Sequence, residues 1–311
     1  MKRFFGVLLS LSIFILLTVS LNAQNNKFSS YLEYNNIGGG ARAAGMGNAY
    51  LGISEGEMAY SWNPAGMIFT KKTLFGMQFS SISDKFKDVF WYQYQDSLKY
   101  YPISPTRKHS PVNNFGFVAP VTFMDREWAI GGGYRNILDM HFDYVAPIRF
   151  NSTDKFTQTG GVDAISAAVS NKITEGVGIG VTANYFMRYF EYNKLNGKYI
   201  NLTLPGNPTP DTFDVRYHDN SHFSGLNFDI GLIGEYNIVR GSAVIHTPYT
   251  LTQNSIYSWF IMIPPEPPPT STGIDRITYT VKYPLSYSLG ISIKPITNLL
   301  IDFDADIKPM S

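Results

Sequence analysis

Past residue 70 the chain alternates apolar and polar side chains almost one for one, and that period leaves few folds open. In Val177–Phe186, Val177, Ile179, Val181, Ala183 and Tyr185 fall on one face, with Gly178, Gly180, Thr182 and Asn184 on the other. Leu226–Ile233 sets Leu226, Phe228, Ile230 and Leu232 against Asn227, Asp229 and Gly231. Tyr287–Lys294 opposes Tyr287, Leu289, Ile291 and Ile293 to Ser288, Gly290, Ser292 and Lys294. Leu299–Ile307 opposes its apolar residues to Asp302, Asp304 and Asp306. Successive side chains of a strand point to opposite faces, so these segments are two-faced strands. The expected class is all-β.

Two-faced strands suit a soluble sandwich or a membrane barrel, and the connections separate the two. Nine candidate strands fall near 72–82, 112–124, 126–140, 161–172, 174–193, 222–237, 239–255, 274–294 and 297–307. Long gaps at 83–111, 141–160, 194–221 and 256–273 alternate with short ones at Met124–Glu127, Asn171–Glu175, Asn237–Val239 and Pro295–Ile296. Outer-membrane barrels pair long outer loops with short inner turns in this way. Several candidates exceed the usual strand length of about 3–10 residues. Aromatics such as Tyr134, Tyr185, Phe186, Tyr189 and Phe190 gather toward strand ends, as an interfacial girdle would. The expectation is a transmembrane antiparallel β-barrel, with a secreted sandwich as the rival.

The N-terminus fits export. Lys2 and Arg3 precede an apolar run, Phe4–Leu21, and Leu21-Asn22-Ala23 offers a cleavage site, giving a signal peptide over 1–23 and a mature start at Gln24. A retained anchor is the alternative, since the run is 18 residues long. The expected destination is the outer membrane of a Gram-negative cell. With 25 basic and 24 acidic side chains there is no nucleic-acid footprint, and the absence of cysteine removes disulfides and thiolate metal sites. Nine strands would leave an unpaired edge in lipid, whereas bacterial barrels have even numbers. The barrel over 71–311 is therefore expected to be incomplete at its C-terminus.

Gly38–Met67, "GGGARAAGMGNAYLGISEGEMAYSWNPAGM", resembles the start of the FadL-type long-chain fatty-acid transporters. The family's Gly-Ala-Arg-x-x-Gly-Met-Gly-x-Ala segment stands here at Gly40–Ala49, and its Asn-Pro-Ala-Gly motif at Asn63–Gly66. Gly241–Leu251 ("GSAVIHTPYTL") and Tyr283–Asp304 ("YPLSYSLGISIKPITNLLIDFD") also look like strands of that family. The resemblance implies about fourteen strands in all, of which about nine are present here. It also implies that residues 24–70 form a small helical hatch inside the barrel, with Asn63, Pro64, Ala65 and Gly66 at its gate. In residue terms Asn63 can hold a turn, Pro64 fixes φ, and Ala65 and Gly66 permit close approach. The plainer reading is that Asn63–Gly66 starts the first strand.

Two further stretches bear on transport. Gly131-Gly132-Gly133 favours a bulge or bend in its strand, and the resemblance implies a lateral opening there. Trp259, Phe260, Ile261, Met262 and Ile263 are five apolar residues in an expected loop. They mark either a ligand-binding groove or an aromatic belt at a strand end, followed by a Pro-rich spacer. For catalysis there is no Gly-x-Ser-x-Gly elbow and no His-Glu-x-x-His motif. His218 and His222 lie in an expected polar loop, and Asp302, Asp304 and Asp306 read as a polar lumen face before a calcium cluster. Outer-membrane phospholipases need only a Ser and a His on a barrel, but nothing in the sequence selects such a pair.

The expected function is passive transport of long-chain fatty acids or other hydrophobic molecules, without enzymatic activity or cofactor. Its expected partners are those molecules and outer-membrane lipid. The alternative is a FadL-like barrel serving as subunit or shuttle of a protein-secretion system, with protein partners.

Overall fold

Among its described residues, a computed structural model of the chain has sixteen strands, two short α-helices and one 3-10 helix. It describes residues 39–85, 88–94, 97–103, 106–148, 152–200, 212–262 and 271–308. The signal-peptide segment 1–23 lies outside them. The strands are β1 (Leu74–Phe79), β2 (Ile82–Lys85), β3 (Asp88–Tyr94), β4 (Ser97–Ile103), β5 (Thr106–His109) and β6 (Val112–Phe123). They continue as β7 (Arg126–Asp139), β8 (Phe142–Ile148), β9 (Ser152–Thr174), β10 (Val177–Ile200) and β11 (Thr212–Tyr236). The last are β12 (Val239–His246), β13 (Tyr249–Met262), β14 (Ser271–Tyr283), β15 (Ser286–Ile296) and β16 (Leu299–Ile307). All described pairings are antiparallel, so the chain is all-β. Among the described residues no helix is long and apolar enough to cross a membrane.

The main path runs β1-β6-β7-β9-β10-β11-β12-β15-β16, nine strands in sequence order. Two-residue turns join neighbours at one end of it. At Met124-Asp125 both residues have positive φ (51° and 55°), the twist that a two-residue hairpin needs. Gly176 (φ 77°) and Asn237 (φ 54°) serve the next two. The second and fourth short turns fall at 175–176 and 297–298, a few residues later than the alternation placed them.

Two candidate strands prove to be broken. The run 239–255 divides at Thr247-Pro248 into β12 and β13, and 274–294 divides at Pro284-Leu285 into β14 and β15. Proline cannot donate to a ladder. The pairing of β11 therefore stops at Asp229↔His246 and resumes at Ser224↔Thr252. The expected long loops are also largely strand: β10 and β11 stay paired out to Ile200↔Thr212, and β2, β5 and β8 extend the sheet beside β9.

The two faces of the sheet are inverted relative to a water-soluble core. On β10, Val181 and Tyr185 are 37% and 51% exposed, while Thr182 and Asn184 are 0% and 1% exposed. The same exposed apolar face carries Phe75, Met77, Ile130, Ile165, Leu226, Phe228 and Ile230. The buried face carries Asn114, Arg135, Ser166, Asn227, Asp229, Ser242 and Ser288.

Against that polar face packs the segment 39–70, with α1 (Ala41–Gly45), α2 (Ala59–Trp62) and the 3-10 helix Pro64–Phe69. Met58, Ala59, Tyr60 and Met67 form an apolar cluster with Val118, Ala129 and Ala168 of the sheet. Ala43, Tyr50, Leu51, Ile53 and Trp62 form a second with Val244. The segment also reaches both ends of the strand path. Gly40 N–H donates to Gln78 of β1 (2.9 Å), and Leu51 N–H to Asp304 of β16 (2.8 Å). Laid flat, nine strands would set those ends about 38 Å apart, at about 4.8 Å per interval. Residues 40–50 hold a helix and an Asn48 N–H···O=C Ala43 bond (2.8 Å), which limits them to about 20 Å. The sheet is therefore curled around the segment.

Candidate functional site

The point where segment and sheet meet most closely is Asn63. α2 ends there, and the residue adopts an extended backbone (φ −144°) before Pro64 opens the 3-10 helix. Pro64 suits that first helical position because its missing N–H would have had no partner. Asn63 Oδ1 accepts from Ala65 N–H (3.0 Å), and Nδ2 donates to the Leu232 carbonyl of β11 (3.0 Å). Its backbone is fixed too: Asn63 N–H donates to Ser54 Oγ (3.2 Å), which donates to the Asn63 carbonyl (3.1 Å). Asn63, Ala65 and Met67 are fully buried. Asn63–Gly66 therefore does not start the first strand; it is a rigid knuckle pressed into the wall.

Glycines in the wall make room for it. A methyl at Gly231 would collide with Asn63 Oδ1, at Gly180 with the Pro64 backbone, and at Gly178 with Ile68. Gly66 is required within the segment, because a Cβ there would strike the Ser54 carbonyl. Polar bonds complete the seat. Thr182 Oγ1 donates to the Tyr60 carbonyl (2.8 Å), Arg135 to the Ser61 carbonyl (3.3 Å), and Ser292 Oγ to the Gly52 carbonyl (3.1 Å). Tyr60 donates its hydroxyl to the Phe115 carbonyl (3.2 Å), and burial pushes its phenol pKa up to about 12, so the donor keeps its proton.

Gly131, Gly132 and Gly133 behave differently from the expectation. All three pair without a break with β6 (Val118, Phe117, Gly116) and with β9 (Ala168, Ala167, Ser166). The bulge lies further along, between Asn136 and Leu138. No bulge or break in pairing opens at the glycines. Instead Gly131 makes room for Met67 and Gly133 for Tyr60.

The Trp259–Ile263 stretch is also corrected. Trp259, Phe260, Ile261 and Met262 lie in β13, where Trp259 pairs with Tyr217 of β11 and Gly273 of β14; Ile263 is outside the described residues. The Trp259 indole covers Gly273, where a side chain would collide with it. Trp259–Met262 are sheet, not an open loop. His218 and His222 likewise sit on β11; four residues of strand separate them by about 13 Å, too far to share a metal. Among the described residues no group of three acidic or histidine side chains could hold a metal. Asp304 receives backbone N–H groups of the segment, and Asp306 receives the Ser288 hydroxyl, as a polar inner face would.

One constellation was not assembled from sequence. Above the Asn63 knuckle a row of side chains crosses seven neighbouring strands: Arg135, Ser166, Asn184, Asp229, His246, Ser288 and Asp306. Arg135 donates to Asn184 Oδ1 (3.2 Å), as does Ser166 (2.6 Å), and Asn184 Nδ2 donates to Asp229 (2.7 Å). His246 Nδ1 meets Asp229 (2.7 Å), His246 Nε2 meets Ser288 Oγ (3.0 Å), and Ser288 donates to Asp306. Asn184, Asp229, Ser288 and Asp306 each stood on the polar side of an alternating segment; only the strand register joins them.

No protein-family model, curated protein or solved structure matches the chain. The likeness to FadL-type transporters therefore rests on the motifs at Gly40–Ala49 and Asn63–Gly66 and on the supporting strands.

Proposed function

We propose that the chain is the wall and plug of an outer-membrane β-barrel that passes hydrophobic molecules, long-chain fatty acids among them, by passive diffusion once the plug moves. The observation that carries this reading is the inversion of the sheet: an apolar face turned outward, and a polar, glycine-lined face wrapped around residues 39–70. An apolar outer band and a polar interior are what a strand-built wall needs in lipid. The substrate class comes from the motif resemblance. Gly131–Gly133 have no part in the exit on this reading, because they seat the plug within a fully paired wall.

The plug must shift for transport, and a chain without native cysteine allows that to be tested cleanly. Leu51 of the segment and Val244 of β12 belong to one buried cluster, so Leu51→Cys with Val244→Cys puts a thiol on each side of the seam for cross-linking under mild oxidation. In cells, uptake of a labelled long-chain fatty acid is expected to fall to background in the oxidised pair and recover on reduction. Undiminished uptake by the fully cross-linked protein would remove plug displacement from the account.

A further inference from the structure

Within the polar row, one trio has the arrangement of a nucleophilic hydrolase. Ser288 Oγ stands 3.0 Å from His246 Nε2, and His246 Nδ1 stands 2.7 Å from Asp229 Oδ1. Each comes from a different neighbouring strand, β15, β12 and β11, so the wall itself fixes their spacing. Asp229 is held by Asn184 Nδ2 on Oδ2 (2.7 Å) and by Asn227 Nδ2 on Oδ1 (3.2 Å), the oxygen that also meets the imidazole. A carboxylate only accepts, so Nδ1 carries a proton toward Asp229; with the ring neutral, Nε2 is then free to accept the Ser288 proton. That tautomer is the one a general base requires.

Two of the three also face space. Ser288 and His246 line a cavity of about 240 Å³, together with Gly47, Asn48, Leu51 and Trp62. Asn48 lines that cavity as well, and its amide is a group of the kind able to donate to a developing oxyanion. The Ser288 hydroxyl has one proton and two acceptors within reach, Asp306 and His246 Nε2. Rotation of that O–H about the Cβ–Oγ bond redirects it to Nε2, already within hydrogen-bond reach.

We propose that Ser288, His246 and Asp229 form an acyl-transfer site for small carboxylic esters that enter the lumen. Ser288 Oγ attacks the ester carbonyl carbon as its proton passes to His246 Nε2. The tetrahedral intermediate collapses, and the departing alkoxide takes that proton and leaves as the alcohol. Water, deprotonated by Nε2, then attacks the acyl-serine, releasing the acid and restoring the Ser288 O–H. Asp229 stays ionised and orients the ring.

The test uses the full-length protein, folded in detergent and treated with diisopropyl fluorophosphate, with intact mass and peptide mapping as readouts. One phosphoryl adduct on Ser288 is expected, absent after unfolding and absent in Ser288→Ala. His246→Gln, with folding checked by heat-dependent gel mobility, is expected to label at least about 100-fold more slowly. An unmodified Ser288 in the folded wild-type protein would overturn the proposal, as would an unchanged labelling rate in folded His246→Gln. Fatty-acid uptake in Ser288→Ala is expected to be normal, so this site and the transport reading can fail separately.

Discussion

The two halves of the curled sheet solve the same problem, filling its inside, in opposite ways. Near the short turns the inner positions are glycine or small: Gly178 and Gly180 on β10, Gly231 on β11, Gly131 and Gly133 on β7. There residues 39–70, through both backbone and side chains, occupy the space. Further along the same strands the inner residues grow into Ile137, Phe186 and Phe223, which pack with Val162, Ala164 and Leu251. Phe186 stacks on Tyr249 (4.9 Å between centroids) and Tyr249 on Tyr283 (4.6 Å). The polar row of Arg135, Asn184 and Asp229 marks the change between the two. A small inner residue in this wall thus records the segment lying against it, and a large one records that the wall's own side chains must fill the space.

That contrast can be broken by mutation. Phe186→Ala is expected to cost about 3–5 kcal/mol, because a fully buried ring leaves a cavity in the aromatic half. Urea unfolding in detergent measures it, and a loss below about 1 kcal/mol would mean that the stack is dispensable. Gly231→Val fails in the reverse sense: overpacking against Asn63 is expected to cost about 1–3 kcal/mol and to leave the segment unseated. Faster protease cleavage within 39–70 would show that unseating directly, and unchanged cleavage would show that the wall yields instead. Asn63→Ala removes the cap on Ala65 N–H and the bond to Leu232, an expected loss of about 0.5–2 kcal/mol in the same urea assay. Gly45→Ala sharpens the rule from the other side. Nothing lies near that glycine and it sits in α1, so the change should be neutral or stabilising by up to about 1 kcal/mol. A marked loss there would mean that glycines in this chain serve something other than close approach.

Much of the wall was legible because alternation is a local property. The nine-strand order and the turns at Met124-Asp125 and Asn237 follow from runs such as Val177–Phe186 and Leu226–Ile233. The breaks at Pro248 and Pro284 were hidden because the residues on either side keep the strand pattern. The outer extensions of β10 and β11 are rich in polar residues, which read as loop until pairing such as Asn193↔His218 is seen. Gly131–Gly133 misled for a definite reason: glycine in a strand signals either a bulge or a close neighbour, and only the position of Met67 and Tyr60 decides. The turn-holding role of Asn63 was legible from Asn-Pro-Ala-Gly, whereas its bond to Leu232, 169 residues away, was not. The Asp229–His246–Ser288 row depends on register in the same way.

The central claim is that the exposed apolar face meets lipid while the opposite face wraps the plug. Single cysteines at Val181, Thr182, Asn184 and Tyr185, spin-labelled in the protein reconstituted into bilayers, would test it. The account predicts that labels at Val181 and Tyr185 collide readily with oxygen and poorly with a water-soluble nickel reagent. Labels at Thr182 and Asn184 should be shielded from both. Water-soluble reagent reaching Val181 and Tyr185 freely would contradict the account and place this face in water.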